Sequence, residues 1–440
     1  MTDMSFSEST EIRNIVVVGG GAGGLELVTK LGRKLGKEGK VSVTLVDRNR
    51  IHIWKPLLHE VATGTLDSGT ESVVYHAHAA RNGYNFELGE LIDVNTCENR
   101  ITLGLIVDAN GNQLLSERTI EYDTLVLALG SLSNDFGIKG VKENCYFLDS
   151  YQQAERFQNA LINKFTGIHQ LGAGERLRIA IVGAGATGVE LAAELYHVTD
   201  LLKSHGMPRM SRDQLEITLI EAGLRVLPAL PERISVSVAS ELEKLGVKIR
   251  TSVMVSSATR EGLHTNDGEL FDADLIVWAA GVKAPDFISG IEGLTTNRSN
   301  QIVVEKTLQA SGCKNIWVIG DCCSFTQENG KLVPPRAQAA HQMASTVFTN
   351  IIRASNGRNL KDYRYKDHGS LVSLSRFSAV GNLMGNLHRN SLFIEGRVAR
   401  LFYVSLYRMH QFSIHGYLRG VLVVLTDRIA KVVRPKMKLH

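Results

Sequence analysis

A chain of 440 residues that is 44% hydrophobic and 21% charged can bury a large core and carry about two or three domains, which excludes a disordered or fibrous protein. The formal charge of +4 is uneven: nine of the 49 Lys and Arg but one of the 45 acids fall in residues 397–440, leaving 40 basic against 44 acidic residues before them and no basic body suited to nucleic acid. Five cysteines, at 97, 145, 313, 322 and 323, form no CxxC pair and point to a reducing compartment.

In chain order, residues 1–14 are polar and lack the apolar stretch of a secretory leader. Ile15-Val16-Val17-Val18 then reads as a buried parallel strand, followed by glycines at 19, 21 and 24. Gly19 permits a tight turn, Gly21 lets a pyrophosphate approach the backbone, and Gly24 lets helix and strand pack closely. The following helix carries Leu25, Leu27, Val28 and Leu31 and breaks near Gly36 to Gly39. A second strand, Val43 to Val46, ends in Asp47, an acid placed to bond a ribose hydroxyl of a dinucleotide. Pro56 and Gly64 bracket a short segment in which Trp54 reads either as core or as a contact for a cofactor ring. His52, His59, His76 and His78 lack metal-ligand spacing.

From Asn85 to Asp123 the pattern predicts a small antiparallel excursion, with strands at Phe86–Leu88, Leu91–Val94, Ile101–Leu105 and one ending at Ile120. Thr124 to Leu129 restores a buried strand ending in the Gly130 turn. Arg178 to Glu190 then repeats the opening pattern, with glycines at 183, 185 and 188, and its acid is Glu221 after a polar insertion around Lys203 to Asp213. Two such units predict two dinucleotides, or one duplicated domain with a dead site; both copies keep their glycines and terminal acid, which favours two live sites. Glu221 accepts from a ribose diol and repels a 2′-phosphate, so NADH is preferred, although Arg225 could relax that exclusion.

A helix is expected around Pro231 to Leu245, and Ala279-Ala280-Gly281 echoes Ala128-Leu129-Gly130. Asp321, at the end of the buried strand Ile316 to Ile319, meets either a polar cofactor chain or only its own turn. Pro334-Pro335-Arg336 opens a helix in which Gln338 and Gln342 share one face. In the tail, residues 421, 422, 425, 429, 432 and 433 form one apolar stripe, with 427, 431 and 434 on the other side. Its longest apolar run is five residues, too short to span a bilayer. With the basic end at Arg434, Lys436 and Lys438 it suits a helix lying on an anionic lipid surface; the other reading is a helical pair buried on the body or in a dimer seam. Cys322-Cys323 reads as two packed thiols rather than a redox centre.

These residues carry a likeness to a known family. His59-Glu60-Val61-Ala62-Thr63-Gly64, Gly188-Val189-Glu190, Gly320-Asp321 and Ala337-Gln338-Ala339-Ala340-His341-Gln342 together resemble the type II, non-proton-pumping NADH:quinone oxidoreductases, over essentially the whole chain to His440. The resemblance implies an α/β fold of two Rossmann-like dinucleotide-binding domains, the two-dinucleotide-binding flavoprotein fold, plus a C-terminal amphipathic membrane-associating region. Its parts would be an FAD-binding first part at 11–150, an inserted NADH-binding domain at 151–300, a return segment with a quinone-side helix at 301–360, and the membrane-associating domain at 361–440.

It further implies noncovalent FAD on Gly19, Gly21, Gly24, Asp47 and Asp321, and NADH as substrate on Gly183, Gly185, Gly188 and Glu221. Ala22, Gly23, Arg48, Lys55, Ala62, Gly130, Gly281 and Ala339 complete the expected cofactor-binding set. A membrane quinone, ubiquinone or menaquinone, would approach along Gln338 and Gln342, with Lys366 a further candidate for charge or proton supply. Glu190 matches a family glutamate near the nicotinamide and flavin rings, as an orienter or a member of a proton network; its alternative role is a carboxylate favoured by the helix dipole. The resemblance also implies a peripheral protein on the cytoplasmic face of the bacterial inner membrane, and we expect a homodimer. A soluble disulphide reductase would need a redox cysteine pair near the flavin, and a nucleotide-binding redox sensor or scaffold would bind both ligands without fast turnover.

Overall fold

The computed structural model describes residues 13–39, 41–108, 110–171, 176–204, 206–207, 211–374, 379–383 and 392–433. It divides into two compact units, one of Met1–His52, Ser72–Leu132 and Lys283–Lys366, the other of Ile53–Glu71, Ser133–Val282 and Asp367–His440.

The first unit is built on a five-stranded parallel sheet. Strand Asn14–Val18 sits at its centre, flanked by Thr124–Leu127 and Ser42–Asp47, with Ile316–Val318 and Asn85–Leu88 at the edges. Ile15, Val17, Leu45, Leu125 and Leu127 are wholly buried, as expected of β-branched and aliphatic strands covered on both faces. Phe86–Leu88 therefore does not belong to the antiparallel excursion: it pairs parallel with Thr44 to Asp47, because its single turn from helix Tyr75–Asn82 returns it to the sheet edge. The excursion itself is a three-stranded antiparallel sheet of Leu91–Asn95, Arg100–Leu103 and Arg118–Glu121, with a separate hairpin of Ile106–Val107 and Gln113–Leu115. Helix Ala22–Lys34 packs against helix Ala337–Ser355, where Gly23 brings the two backbones close: a Cβ there would lie 3.0 Å from the Ala340 carbonyl oxygen.

The second unit repeats the plan with four parallel strands, in the order Lys248–Arg250, Leu215–Ile220, Leu177–Val182, Leu275–Trp278. Helix Ala186–Ser204 follows the central strand, and the helix expected near Pro231 runs Glu232–Leu245. Trp278 anchors the core beneath the sheet and donates its indole N–H to the Asn134 carbonyl at 2.8 Å. The 21-residue helix Tyr151–Leu171 has no counterpart among the expected elements; its buried Ala154, Phe157, Leu161, Phe165 and Ile168 recur every three or four residues and are the signal that marks it.

The C-terminal part of this unit contains an antiparallel sheet of Gly369–Ser373, Ala379–Leu383 and Leu392–Glu395, then helices Gly396–His415 and Tyr417–Val433 broken at Gly416. Arg408 on the first helix pairs with Asp427 on the second. Asp427 thus points inward, and the described part of the apolar stripe is exposed: Ile429 65%, Leu422 58%, Val421 50% and Leu425 49%. No described helix is long and apolar enough to cross a membrane. The basic end at Arg434, Lys436 and Lys438 lies outside the described residues.

Candidate active site

The two glycine turns are built alike. Gly19 and Gly183 have φ of +103° and +100°, the left-handed region that favours glycine, and a Cβ at either would lie 2.3 or 2.7 Å from the carbonyl oxygen of Ala128 or Ala279 in the return strand. A Cβ at Gly24 or Gly188 would lie 1.9 or 2.0 Å from the carbonyl oxygen of Gly19 or Gly183, so each helix presses directly on its own turn. By contrast, a Cβ at Gly21 or Gly185 would meet nothing within 4 Å. The middle glycines alone open onto space, at the N-terminus of a helix whose first turn carries no acid. That is the cradle a pyrophosphate requires.

The acids are matched too. Asp47 accepts from the backbone N–H of Gly20 and of Asn49, both at 2.7 Å, and Glu221 accepts from Ala184 and Gly223, both at 2.8 Å. Burial raises the Asp47 pKa, and the N–H groups of Asn49 and Gly20 pull it back. Sequence reasoning missed what else fixes the first turn: Tyr75 Oη donates to the Gly20 carbonyl at 2.8 Å, and His52 Nδ1 lies 2.8 Å from the same oxygen. In the second turn, Arg225 donates to the carbonyls of Pro228 and Leu230, a use other than a 2′-phosphate.

Asp321 does more than cap its turn. It accepts from Ser131 Oγ at 2.8 Å, which ties it to the Gly130 turn at the carboxyl edge of the first sheet. On helix Ala337–Ser355, Gln338 and Gln342 are half-buried and Ala339 is buried. Tyr365 Oη donates to Gln338 Oε1 at 2.8 Å, and Gln342 exchanges two bonds with the backbone of Lys366, whose side chain is exposed. His341 pairs with buried Glu26 of helix Ala22–Lys34.

In the second unit, helix Ala186–Ser204 places Glu190 in its second turn, beyond the reach of a first-turn dipole role. Its carboxylate accepts the Ser373 N–H at 2.9 Å and lies 3.5 Å from His59 Nδ1. Arg400 donates to Ser373 Oγ at 2.7 Å and approaches Glu60 at 3.8 Å. Burial drives the Glu190 pKa up to about 8, against the Ser373 bond, with Glu60 adding to the rise; burial drives His59 down to about 4. Both groups are thus neutral over much of the physiological range. The buried Tyr403 hydroxyl, whose pKa burial raises, has no hydrogen-bond partner among the described residues. The arrangement can store a proton on Glu190 and meet an incoming polar group with a phenol.

The remaining expected residues are placed as follows. Arg48 faces Glu90 at 3.4 Å, Lys55 faces Asp149 at 3.7 Å, and Ala62 is buried in helix Leu58–Thr63. Gly130 and Gly281 have φ of +70° and +63°, and a Cβ on Gly281 would meet the Phe136 ring at 2.6 Å. Trp54 is core, stacked on Tyr407 and His410 with centroids 5.3 and 6.0 Å away. Cys322 and Cys323 are buried, and burial pushes the Cys322 thiol up to about 12, which leaves it an inert packed group. Among the described residues no cluster could hold a metal.

Residues 13–344 match the family described as pyridine nucleotide-disulphide oxidoreductase. A Haemophilus influenzae protein named type II NADH:quinone oxidoreductase is 46% identical, covering 98% of this chain and all of its own length. A Staphylococcus aureus protein of the same name is 29% identical over 85% of this chain and 90% of its own. Of solved structures, NDH2 from Plasmodium falciparum in complex with NADH matches with a TM-score of 0.79 at 21% identity, covering 97% of this chain and 100% of that one. The sulfide:quinone oxidoreductase from Aquifex aeolicus matches at 0.72 and 17%, covering 96% and 95%. Both structures share the fold.

Proposed function

The chain belongs to the pyridine nucleotide-disulphide oxidoreductases and, within them, to the type II NADH:quinone oxidoreductases, and from that premise we propose which residues serve each half of its reaction. The enzyme oxidises NADH and reduces a quinone through a flavin, without pumping protons. The flavin is FAD, held noncovalently in the first unit by Gly19, Gly21, Ala22, Gly23 and Gly24, with Asp47 on a ribose and Asp321, fixed by Ser131, on the polar chain. What supports this is the doubled cradle: two open middle glycines, each with an acid pinned by two backbone N–H groups.

NADH occupies the second cradle, on Gly183, Gly185, Gly188 and Glu221, within the inserted part at 151–300. Bound flavin supplies the redox chemistry, taking a hydride and releasing two electrons to the quinone. The residues of the chain supply position and protons. Glu221 orients the adenosine ribose, and Glu190 holds a proton in a dry site where the Ser373 N–H and His59 meet its carboxyl, with Arg400 holding the Ser373 hydroxyl. Gln338 donates its amide to a quinone carbonyl. The apolar stripe on helix Tyr417–Val433 rests on an anionic lipid surface, on the cytoplasmic face of a bacterial inner membrane, with the protein a homodimer. The exposure of Leu418, Leu422 and Ile429 supports that placement.

Anaerobic addition of one equivalent of NADH to purified, FAD-loaded protein, followed by a short-chain ubiquinone analogue, tests the reading. The flavin absorbance should bleach and then recover. Bleaching without recovery would remove the quinone half, and a protein that takes up no flavin would remove the whole assignment.

A further inference from the structure

Cys97 and Cys313 belong to segments that the first unit lays side by side. Cys97 lies in the turn between strands Leu91–Asn95 and Arg100–Leu103, and Cys313 lies just before strand Ile316–Val318. Two positions beyond each cysteine the segments touch: Asn315 Nδ2 donates to Asn99 Oδ1 at 2.8 Å. On the other side they converge on consecutive carbonyls of a third segment. Thr96 Oγ1 donates to the Glu292 carbonyl at 3.1 Å, and Cys313 Sγ donates to the Gly293 carbonyl at 3.6 Å. The approach is so close that a Cβ on Gly293 would stand 2.6 Å from Thr96 Oγ1. Contacts on both sides therefore bracket the two cysteines.

Both backbones are held where they stand. Asn95 Oδ1 accepts the N–H of Cys97 at 3.1 Å and of Glu98 at 2.8 Å, the Tyr122 N–H donates to the Asn99 carbonyl at 2.8 Å, and the Cys313 N–H donates to the Ala310 carbonyl at 2.9 Å. The sulfurs differ in access: Cys97 is exposed and Cys313 half-buried. Burial and the neighbouring Cys97 sulfur raise the Cys313 pKa, so it stays a thiol near neutral pH. An oxidant thus meets Cys97 first, with Cys313 placed to resolve the product. The adjacent Cys322 and Cys323, which sequence proximity would suggest instead, are both buried.

We propose that Cys97 and Cys313 form a modification site, a reversible intramolecular disulfide made by hydrogen peroxide, which staples the antiparallel excursion to the strand leading into Asp321. Cys97 Sγ attacks one peroxide oxygen: an S–O bond forms, the O–O bond breaks, and the displaced hydroxide leaves as water with the thiol proton. Cys313 Sγ then attacks the Cys97 sulfur: an S–S bond forms, the S–O bond breaks, and a second water leaves with the Cys313 proton. Two thiols lose two electrons, and the peroxide is reduced to two waters. In a reducing compartment the bond is transient, undone by thiol exchange.

The test treats full-length, FAD-loaded, freshly reduced protein with a small excess of hydrogen peroxide, blocks the remaining thiols with iodoacetamide, and maps non-reduced peptides by mass spectrometry. The peptides carrying Cys97 and Cys313 should be joined, the count of free thiols should fall from five to three, and dithiothreitol should restore both. In Cys313→Ser, Cys97 should instead be trapped as a sulfenic acid by dimedone, and Cys97→Ser should leave Cys313 reduced. Oxidation of wild-type Cys97 to sulfenic or sulfonic acid without joining Cys313 would overturn the proposal. So would a bond from Cys97 to any other cysteine, a bond between chains in a mixture of isotope-labelled and unlabelled protein, or two thiols that both survive the peroxide.

Discussion

Glu190→Gln is the substitution whose consequences the structure fixes most closely. Glutamine keeps the size of the side chain and an oxygen for the Ser373 N–H, and removes only the ability to ionise. The wild-type carboxyl is raised from 4.5 to about 8 by burial, so the folded protein retains a proton that the unfolded chain has released. A raised pKa contributes stability that is intact below the unfolded value and is lost as pH rises through the folded one. Relative to the variant, wild type should therefore weaken between pH 5 and pH 8 by roughly 3 to 4 kcal/mol, at about 1.4 kcal/mol per pH unit. For a unit of this size that is a gap in Tm widening by roughly 6 to 8 °C across the window. Thermal melts of both proteins over that range read it directly. At pH 7 the carboxyl is about 90% protonated, and if it supplies a proton to the reduced quinone, the variant should lose roughly 10²- to 10⁴-fold in flavin reoxidation while flavin reduction by NADH persists. A Tm gap that stays constant from pH 5 to pH 8 would refute the buried, proton-holding carboxyl, and unimpaired reoxidation would refute its catalytic use.

Glu221→Ala should raise KM for NADH by roughly 10- to 100-fold, the loss of charge-assisted bonds to a ribose, and leave flavin content unchanged; equal NADH kinetics would remove the assignment. Gly24→Ala and Gly188→Ala put a methyl within 2.0 Å of a carbonyl oxygen in the first and second cradle, so the first should purify with little flavin and the second should keep flavin and bind NADH weakly. Flavin absorbance per chain and NADH titration separate the two, and the reverse pattern would exchange the ligands. Leu422→Glu with Ile429→Glu should lower co-sedimentation with anionic vesicles about tenfold or more, because each exposed side chain forfeits its burial in lipid; unchanged co-sedimentation with altered sedimentation velocity would make the stripe a dimer seam.

The two cradles were legible because they are local. Strand, glycines and helix follow one another within a dozen or so residues, and steric demands on Gly19, Gly24, Gly183 and Gly188 leave few substitutes. The surroundings of Glu190 were not legible for the opposite reason. Ser373 bonds it from 183 residues away, and Glu60 and His59 come from another part of the chain. No periodicity encodes such a meeting: His59 and Glu60 stood out in sequence as part of a motif shared with the family, without any sign that they meet Glu190. The same holds for Tyr75 on Gly20 and Ser131 on Asp321, separated by 55 and 190 residues. The strand expected at Phe86–Leu88 misled by length: even at its full four residues, Asn85–Leu88, it carries too little alternation to distinguish a parallel edge from an antiparallel hairpin. The tail was half legible. Its apolar stripe was periodic in sequence, but the inward turn of Asp427 depends on Arg408 from the other helix.

The duplicated cradles differ in what supports their turns. In the first, the carbonyl of Gly20 is engaged by both Tyr75 and His52, and a Cβ at that position would collide with the Tyr75 hydroxyl at 2.3 Å, so the turn is locked from outside the βαβ unit. In the second, the equivalent carbonyl of Ala184 accepts a backbone N–H from Leu227, a residue of the loop that follows its own acid. That loop also carries Leu224, which is 87% exposed. A turn fixed by buried side chains loses little entropy on binding and suits a ligand that stays; a turn braced by a neighbouring loop can adjust as a ligand enters and leaves. The first description fits a resident flavin and the second a nicotinamide substrate that must depart once per turnover.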